Sequence, residues 1–538
     1  MDTTQRTIQD TKFSASNILF YLFVTALVAY GINYKRKRQR MEYLASKIPG
    51  PPCLPLVGNA LSFVGNSEDV LGVIDEFLHK YTETAKFWVG PELYITISNP
   101  EDLQIVLNNT KTLEKGPAYR FFINTVGTGL FSAPVEKWRR NRKVITPAFN
   151  MNLMSHFVPV FREKNAILLQ RLKKHENTGK PVDVWEYISG AALDIICQTA
   201  MGYNVRAQEE EESEFAAALT KASELDCMRI YKIWLHPDFI FEIFSFFTGL
   251  KETYKTLHKL PKQLITEKKA EFQRKMESGE LDFNEDAKES KKLKVFLDIL
   301  LELKAAGAHF TDDDIRDEVI TMMIGGSETS ALTLCFTLLM LSMHPEIQDK
   351  VYDEVYSIFG DTDRPIEMED LGKLAYLEQT LKEALRLFPV GPVFLRKVTE
   401  EIEVGKYTLP KDCNLIIPPL NVHHNPKYYS NPKVFNPDNF TPEAIAARHR
   451  YSFIAFSGGA RGCIGSKYAM LSMKVTISTI LRNFEVHTDM KMTDLKMKVD
   501  LLMRSVTGYP IKLTTRDRRP SHVRKAQPNP NPSPVSVN

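Results

Sequence analysis

The amino-acid sequence predicts a mainly α-helical protein with small peripheral β-sheets, built as one large domain behind an N-terminal transmembrane helix. Helical spacing of apolar residues prevails between about residues 60 and 515. The strand-like segments are few and short. Residues 13–34 form an uncharged apolar run. Since no internal repeat and no second linker divides the body, a single domain is favoured.

Composition excludes several classes of protein. Hydrophobic residues make up 43% and charged residues 25% of the 538 residues, which excludes collagen-like, fully disordered and polytopic membrane proteins. The 69 Lys and Arg against 66 Asp and Glu give a net charge of +3, so no nucleic-acid partner is expected. The six cysteines are scattered and form no CxxC pair, and therefore predict neither a disulfide framework nor a zinc site.

The first predicted element is a membrane anchor. At about 1.5 Å per residue, about 20 helical residues cross the roughly 30 Å hydrocarbon layer, and residues 13–34 are long enough. The basic cluster within residues 35–40 places the following chain on the cytosolic side. Residues 48–59, IPGPPCLPLVGN, are rich in proline. Residues 35–59 are therefore interpreted as a basic stop-transfer segment followed by a stiff, proline-rich hinge.

The body of the chain is predicted to occupy residues 60–515. Within it, the polar stretch over residues 276–294 is predicted to be a surface loop. From Arg516 onward, prolines, serines, asparagines and basic residues replace the apolar pattern. Such a composition cannot bury enough apolar surface to fold, and residues 516–538 are therefore predicted to be a disordered basic tail.

The longest predicted helix begins after Thr311 and ends before Pro345. Thr311 is a suitable N-cap and acidic residues fill the first turn. The helix is apolar on nearly every face, which predicts that it is buried and crosses the whole domain. Gly325 and Gly326 precede a polar run at residues 327–330. The glycines indicate either a packing kink or a groove where a ligand lies against the backbone.

A second helix is predicted over residues 370–388, before Pro389. Glu383 and Arg386 are three residues apart and therefore share one face of it. Taken alone, such a pair is common on exposed helices. Short strands are predicted at residues 94–98, 401–410 and 414–420.

A glycine-rich segment surrounds Cys463 near the C-terminus and runs directly into a regular helix. Glycines permit a tight turn, and a helix N-terminus favours the thiolate over the thiol. Such a cysteine can be a nucleophile, a redox thiol or a metal ligand. With no resolving cysteine nearby and no local histidine to activate it, axial ligation to a large planar cofactor is favoured.

These residues resemble the cytochrome P450 superfamily. The cysteine-loop pattern FxxGxRxCxG of that family is met in full by Phe456, Gly459, Arg461, Cys463 and Gly465. Four further family motifs occur in the right order: the WxxxR helix (Trp138 and Arg142), the oxygen-binding motif (residues 325–330), the ExxR motif (Glu383 and Arg386), and the segment FNPDNF (residues 435–440).

One of these motifs departs from the family pattern, because Asn439 stands where an arginine is usual and alters the customary Glu-Arg-Arg cluster. Residues 185–204 are similar to the family 4 clan of animals, in particular to its insect microsomal members. Many family 4 enzymes carry, at the position of Gly325, a glutamate that forms an ester to the haem. A non-covalent porphyrin is therefore expected here.

The resemblance implies haem b as the cofactor, with the Cys463 thiolate as the axial ligand of the iron. Gly325 and Gly326 would leave room for O2 and substrate. Glu328 and Thr329 would deliver protons, and a buried, salt-bridged acid is the alternative interpretation of Glu328. The positions that match propionate-binding residues of the family are Trp138, Arg142, Arg396 and Arg461.

Glu383 and Arg386 would form a buried structural pair on the cysteine side of the haem. A basic patch beside the WxxxR helix is interpreted either as a docking site for an acidic reductase or as a solvated helix face: Arg139, Arg140 and Lys143. Three apolar segments at residues 115–130, 215–245 and 390–396 are interpreted as pocket lining or core. They include Phe121, Phe122, Phe239, Phe241, Phe394 and Leu395.

The function implied is that of a haem-thiolate monooxygenase with the P450 fold, which uses NADPH electrons from NADPH-cytochrome P450 reductase. Cytochrome b5 is a further candidate partner, and membrane lipid is another. The expected substrate is a hydrophobic fatty acid, hormone or isoprenoid, or xenobiotic. The expected location is the endoplasmic reticulum membrane, single-pass, with a cytosolic catalytic domain. The alternatives are a reductase-independent isomerase or dehydratase and a non-catalytic haem-binding protein, against which the retained Glu328–Thr329 pair argues.

Overall fold

The structure is a computed structural model that describes residues 15–55, 57–65, 67–209, 213–278 and 295–526. The helices of its first half are α1 (Ala15–Ser46), α2 (Ser67–Lys80), α3 (Pro100–Asn108), α4 (Ile123–Val126), α5 (Val135–Ile145), α6 (Met151–Ser155), α7 (Val158–Leu172), α8 (Trp185–Met201), α9 (Glu214–Tyr231), α10 (Asp238–Thr248) and α11 (Leu250–Glu277). Those of the second half are α12 (Phe296–Ala305), α13 (Asp312–Met343), α14 (Pro345–Phe359), α15 (Met368–Leu371), α16 (Ala375–Leu387), α17 (Pro419–His423), α18 (Pro442–Ala446), α19 (Ser466–Asn483) and α20 (Ser521–Ala526).

The strands form small, separate sheets, so the prediction of a mainly α-helical fold is confirmed. The strands are β1 (Thr84–Val89), β2 (Glu92–Ile97), β3 (Val182–Asp183), β4 (Phe394–Lys397), β5 (Ile402–Val404), β6 (Tyr407–Leu409), β7 (Asn414–Ile417), β8 (Phe484–His487), β9 (Met497–Val499), β10 (Met503–Ser505) and β11 (Pro510–Thr515). The largest sheet has the order β1-β2-β7-β4, in which β2 and β7 are parallel and pair Ile95 with Leu415.

Helix α13 is the central helix of the core. Thr311 and Asp314 form a capping box at its start: the Thr311 hydroxyl accepts the Asp314 N–H at 3.0 Å and the Asp314 carboxylate accepts the Thr311 N–H at 3.1 Å. Helix α13 is long and apolar enough to cross a membrane, but 83% of its apolar window is buried inside the protein, as expected of a core helix. It packs along α8 and continues as one α-helix through Gly325 and Gly326.

Helix α1 extends well beyond the predicted end of the anchor at residue 34. Its last turns are buried at Leu44 and Ala45 and pack against the largest sheet. Arg40 donates two hydrogen bonds to Glu401, at 3.1 and 3.0 Å, and Lys86 Nζ donates to the Ala45 carbonyl. The segment predicted to be a stop-transfer and hinge is therefore helical and docked up to residue 46. The sequence predicted the basic cluster within residues 35–40 but not this docking, because the sequence alone does not show the sheet that the helix contacts.

Two further boundaries differ from the predictions. The helix predicted from residue 370 is divided into α15 and α16, because the chain turns at residues 372–374. The predicted disordered tail is ordered up to residue 526: Arg516 is buried, and Arg524 forms ion pairs with Asp349 and Glu485. Carboxylates of distant elements thus bind this basic segment, although its composition alone predicted that it would be disordered. Residues 527–538 and most of the predicted loop at 276–294 lie outside the described residues.

Candidate active site

A cavity of about 600 Å³ lies between α13 and the cysteine loop, which we define as residues 456–465. This volume is within the usual range for small-molecule sites. Most of the predicted site residues line it: Trp138, Arg142, Gly325, Gly326, Thr329, Arg396, Phe456, Arg461, Cys463 and Gly465. Four of the predicted residues do not line the cavity: Glu328, Glu383, Arg386 and Gly459.

The cysteine loop is a tight turn closed by its own backbone. The Cys463 N–H donates to the Phe456 carbonyl at 2.9 Å. Gly459 has a φ of +65°, and a Cβ there would lie 1.8 Å from the Leu107 carbonyl oxygen. Gly459 is therefore required by the close approach of the loop to the end of α3, not by contact with the cavity.

Cys463 presents its side chain to the cavity, three residues before α19 begins. Burial raises the pKa of the thiol, while the Gly465 N–H, which donates to the sulfur, and the nearby Arg142 lower it. A thiol in this position needs a positive partner to become a stable thiolate, and a metal ion on the cavity side would supply one.

The two glycines of α13 differ in what surrounds them. A Cβ on Gly325 would enter open space, whereas a Cβ on Gly326 would lie 2.4 Å from the Ile196 side chain of α8. Gly325 thus opens the cavity, while Gly326 permits close helix packing. Thr329 lines the cavity, and its hydroxyl donates to the Gly325 carbonyl at 2.6 Å.

Glu328 does not reach the cavity. It is buried and forms an ion pair with Arg504 on β10. Arg504 in turn donates to the Thr220 hydroxyl at 3.0 Å and lies over the Trp185 ring. In the folded chain Glu328 is therefore the buried, salt-bridged acid of the alternative interpretation, and its delivery of protons beside Thr329 stays a prediction.

Buried and partly buried cations lie together at the cavity. We define Lys115, Arg142, Arg396 and Arg461 as the cation cluster. The Arg461 guanidinium lies 4.4 Å from the Trp138 ring centroid, and its Nη1 atom is buried without a hydrogen-bond partner in the part of the chain that the structure describes.

The Arg461 side chain is held by two backbone carbonyls, those of Leu113 at 3.1 Å and Ala133 at 2.8 Å. Burial and the neighbouring Arg396 lower the pKa of Arg461 to about 10. Arg461 is thus held by neutral carbonyls while another cation lies nearby, an arrangement that an anion would stabilise.

Lys115 and Tyr119 are site residues that the motifs did not identify. The Lys115 Nζ atom lies 4.3 Å from the Tyr119 ring centroid. Burial, together with the charges of Arg396 and Arg461, holds the pKa of Lys115 well below its usual value. The available signal in the sequence was a lysine followed four residues later by a tyrosine in an apolar stretch, which many unrelated proteins share.

Glu383 and Arg386 lie behind the cysteine loop and are completely buried. Two hydrogen bonds of 2.7 Å join Arg386 to Glu383. Glu383 Oε1 also accepts the Asn436 N–H at 2.9 Å and the Asn439 side-chain amide at 3.1 Å. We define these four residues as the Glu383 network. Asn439 therefore occupies the place of the usual arginine but contributes an uncharged amide.

The residues that surround the cavity fit haem b, which carries an iron, an apolar ring and two carboxylates. Cys463 can bind the iron, and the cation cluster with its unpartnered Arg461 nitrogen suits the two carboxylates. The walls between are largely apolar. At position 325, no side chain competes for the space.

The predicted pocket segments are correct in part. Phe121, Phe122, Phe394 and Leu395 line the cavity. Phe241 is instead buried in the core, and Phe239 is 68% exposed on the surface of α10. Phe241 thus agrees with the core interpretation, whereas Phe239 agrees with neither, because periodicity does not show which face of α10 meets the domain.

Comparisons with known proteins agree with this site. A family model described as Cytochrome P450 matches residues 48–512. The chain is 38% identical over 483 residues to cytochrome P450 4c21 of Blattella germanica, covering 89% of this chain and 95% of the relative. It is 35% identical over 515 residues to human cytochrome P450 4V2, with 94% and 96% covered. A third relative is cytochrome P450 4g15 of Drosophila melanogaster, at 31% over 563 residues, with 94% and 98% covered.

The matched region contains the cavity, the cysteine loop and the cation cluster. The family implies haem iron with a cysteine thiolate ligand, a redox partner and a hydrophobic substrate. The chain therefore belongs to the cytochrome P450 family, within family 4, and is a haem-thiolate monooxygenase.

Proposed function

We propose that this enzyme inserts one atom of O2 into a hydrophobic small molecule at the endoplasmic reticulum membrane, with NADPH electrons delivered by NADPH-cytochrome P450 reductase. Cytochrome b5 is proposed as a further donor. The observation that carries the proposal is the apolar cavity that joins Cys463 to Gly325 and Thr329. The substrate class is a fatty acid, a hormone or isoprenoid, or a xenobiotic.

Each wall of the cavity has a proposed role. Bound haem supplies the activation of oxygen. Cys463 binds its iron, and Arg142, Arg396 and Arg461 hold its carboxylates, with Trp138 packed against Arg461. Gly325 leaves space on the opposite side, and the Thr329 hydroxyl holds a proton at the cavity wall.

Substrate binding is tested by optical titration. The purified enzyme is titrated with fatty acids, isoprenoid hormones, steroids and xenobiotics, and the shift of the Soret band is recorded. We expect a saturable shift with one apolar class. Product formation is then measured with and without reductase and NADPH. A product that forms without electrons would contradict the monooxygenase proposal and support an isomerase.

A non-covalent cofactor is proposed because Gly325 offers no carboxyl group for an ester. Extraction with acidified organic solvent should transfer the haem completely to the organic phase. Gly325→Glu places a carboxyl group in the open space at that position and is the matched variant. Haem that remains on the wild-type polypeptide would contradict the proposal.

Membrane attachment through α1 is proposed from its exposed side chains. Leu19, Leu22 and Phe23 are each more than half exposed, and the apolar run precedes exposed Lys35 and Arg36. Helix α10 presents a second apolar surface, with Phe246 at 75% and Phe247 at 81% exposure. Deleting the residues before Lys35 should reduce recovery with microsomes. Full recovery would contradict the anchor.

The basic patch on α5 is proposed to dock the reductase. Arg139 and Lys143 are exposed, whereas Arg140 is partly used by an ion pair with Asp314 at 3.0 Å. Arg139→Glu with Lys143→Glu should raise the KM for reductase, and the effect should weaken in high salt. Lys174→Glu is the control, because Lys174 is exposed elsewhere. Equal KM values would leave the patch a solvated helix face.

A further inference from the structure

The Glu383 network lacks the second cation of its family pattern, since position 439 holds an asparagine. The Asn439 amide still donates to Glu383 Oε1 at 3.1 Å. A neutral amide attracts a carboxylate less strongly than a guanidinium does. The network therefore keeps the hydrogen bond but loses a positive charge next to a buried carboxylate.

An arginine nine residues later contacts the other side of Asn439. Arg448 Nη2 donates to the Asn439 backbone carbonyl at 2.6 Å. The Arg448 side chain is half-buried just after α18, and its Nε atom has no hydrogen-bond partner among the described residues. Asn439 thus connects the two charged residues. Its side-chain amide donates to Glu383, and its backbone carbonyl accepts a hydrogen bond from Arg448.

Tyr429 provides a second connection between the two guanidinium groups. The Arg448 guanidinium lies 4.4 Å from the Tyr429 ring centroid, and the Arg386 guanidinium lies 4.8 Å from it. Tyr429 is itself buried. An electron-rich ring between two cations attracts both and reduces their repulsion.

We propose that Arg448 supplies the cation that the family pattern places at position 439, and that it acts as a positioning residue for the Glu383 network. It does so through the Asn439 carbonyl and the Tyr429 ring, not through a direct ion pair with Glu383.

The contacts of this arrangement lead to the cysteine loop. The Tyr429 hydroxyl donates to the Ser452 carbonyl at 3.3 Å. Arg386 Nη1 donates to the His423 carbonyl at 3.0 Å, and the His423 ring accepts the Ile454 N–H at 2.9 Å. Ser452 and Ile454 lie four and two residues before the cysteine loop. A shift of Tyr429 or Arg386 would therefore reach the segment that holds Cys463.

The first test separates charge from packing at position 448. Arg448→Met keeps an apolar stem and removes the charge, whereas Arg448→Lys keeps the charge without the forked geometry. We expect Arg448→Met to reduce about tenfold the fraction of protein that gives the red-shifted CO band of thiolate ligation. Arg448→Lys should retain much of that fraction. Arg450→Met is the matched control, because Arg450 is exposed and contacts Tyr451.

The second test moves the cation to its usual place. Asn439→Arg in the Arg448→Met background should restore both the CO band and the thermal midpoint. If Arg448→Met behaves like Arg450→Met, the proposal is overturned. It is also overturned if Arg448→Met and Arg448→Lys lose the band equally, since the charge then has no role. Should Asn439→Arg itself fail to fold, the comparison of Met with Lys decides the question alone.

Discussion

Two groups of charges, the Glu383–Arg386 pair behind the cysteine loop and the cation cluster at the cavity, are balanced in different ways. On the cysteine side, Glu383 and Arg386 satisfy each other through two hydrogen bonds. In the cation cluster, burial and neighbouring cations lower the pKa values of Lys115 and Arg461, and the side-chain hydrogen bonds of Arg396 and Arg461 go to backbone carbonyls in the described part of the chain. The charges of the Glu383–Arg386 pair balance each other within the folded chain, whereas the charges of the cation cluster are balanced by an anionic ligand.

This difference separates what stabilises the fold from what binds the cofactor. Removing one member of a closed buried pair strands the other, so the effect appears in unfolding. Removing one member of a crowded cation cluster relieves repulsion in the protein, so the loss appears in binding of the ligand carboxylates. Substitutions of Glu383 or Arg386 should therefore lower stability more than haem retention. Substitutions in the cation cluster should lower haem retention more than stability.

The largest effect is expected for Glu383→Gln. This substitution keeps the shape but leaves the Arg386 charge buried without its partner, and it should cost about 3–5 kcal/mol of the free energy of unfolding. Chemical denaturation of the purified enzyme measures it. Glu252→Gln is the control, because its ion pair with Lys255 is exposed and should contribute less than about 1 kcal/mol. Equal losses of unfolding free energy in Glu383→Gln and Glu252→Gln would contradict a stabilising role of the buried Glu383–Arg386 pair.

Arg461→Gln should weaken haem retention with a smaller effect on unfolding. A lost charge-assisted hydrogen bond of about 1.5–3 kcal/mol corresponds to about a tenfold or greater increase in haem loss. The transfer of haem to excess apomyoglobin measures the rate. Arg450→Gln removes an exposed arginine outside the cluster and should leave the rate unchanged. A wild-type rate in Arg461→Gln would show that the cluster does not hold the cofactor.

The two glycines of α13 provide a smaller contrast. Gly326→Ala should destabilise the fold by about 1–3 kcal/mol, because its Cβ would overlap Ile196. Gly325→Ala places its Cβ in open space and should stabilise the helix by up to about 1 kcal/mol. Thermal unfolding of both variants measures the difference. The reverse order would contradict the assignment of one glycine to packing and the other to the cavity.

A further contrast, in the dependence of stability on pH, concerns an anion without a balancing charge. Asp226 is buried, and burial raises its pKa from 3.8 to about 7, although Thr125, Tyr254 and Arg229 oppose the shift. The folded protein therefore holds a proton between about pH 4 and 7 that the unfolded chain releases. The resulting stability is complete below pH 4 and is lost as the pH rises through 7.

Asp226→Asn should accordingly reduce the fall in unfolding midpoint between pH 5 and 8. Asp370 is the matched control: Arg364 lowers the pKa of its carboxyl to about 2, so Asp370→Asn should shift the midpoint equally at both pH values. A pH dependence in Asp226→Asn equal to that of the wild type would show that another group titrates.

The sequence predicted the features that are encoded locally. Thr311 and Pro345 defined α13 to within a residue, since a cap and a proline act on adjacent residues. The cysteine-loop motif is a contiguous segment, so the family resemblance could assign Cys463 and Arg461 to the site, and both line the cavity. Features that depend on distant partners were not predicted. Arg504 approaches Glu328 from far along the chain, and Glu401, just before β5, forms an ion pair with Arg40 of α1.

The C-terminal segment illustrates the same limit. Its basic, proline-containing composition is typical of a disordered tail, but the carboxylates of α14 and β8 bind it up to residue 526. Lys115 was overlooked for a related reason, because burial next to Arg396 and Arg461 arises only when three separate segments meet. Composition and periodicity do not show which distant segments of the chain come into contact.

The most direct measurement is the spectrum of the reduced enzyme with carbon monoxide. If Cys463 binds the iron as a thiolate, the wild type should show the strongly red-shifted Soret band of thiolate ligation. Cys463→Ser should lose this band. A wild-type spectrum of imidazole or neutral ligation, or a red-shifted band that persists in Cys463→Ser, would contradict the account.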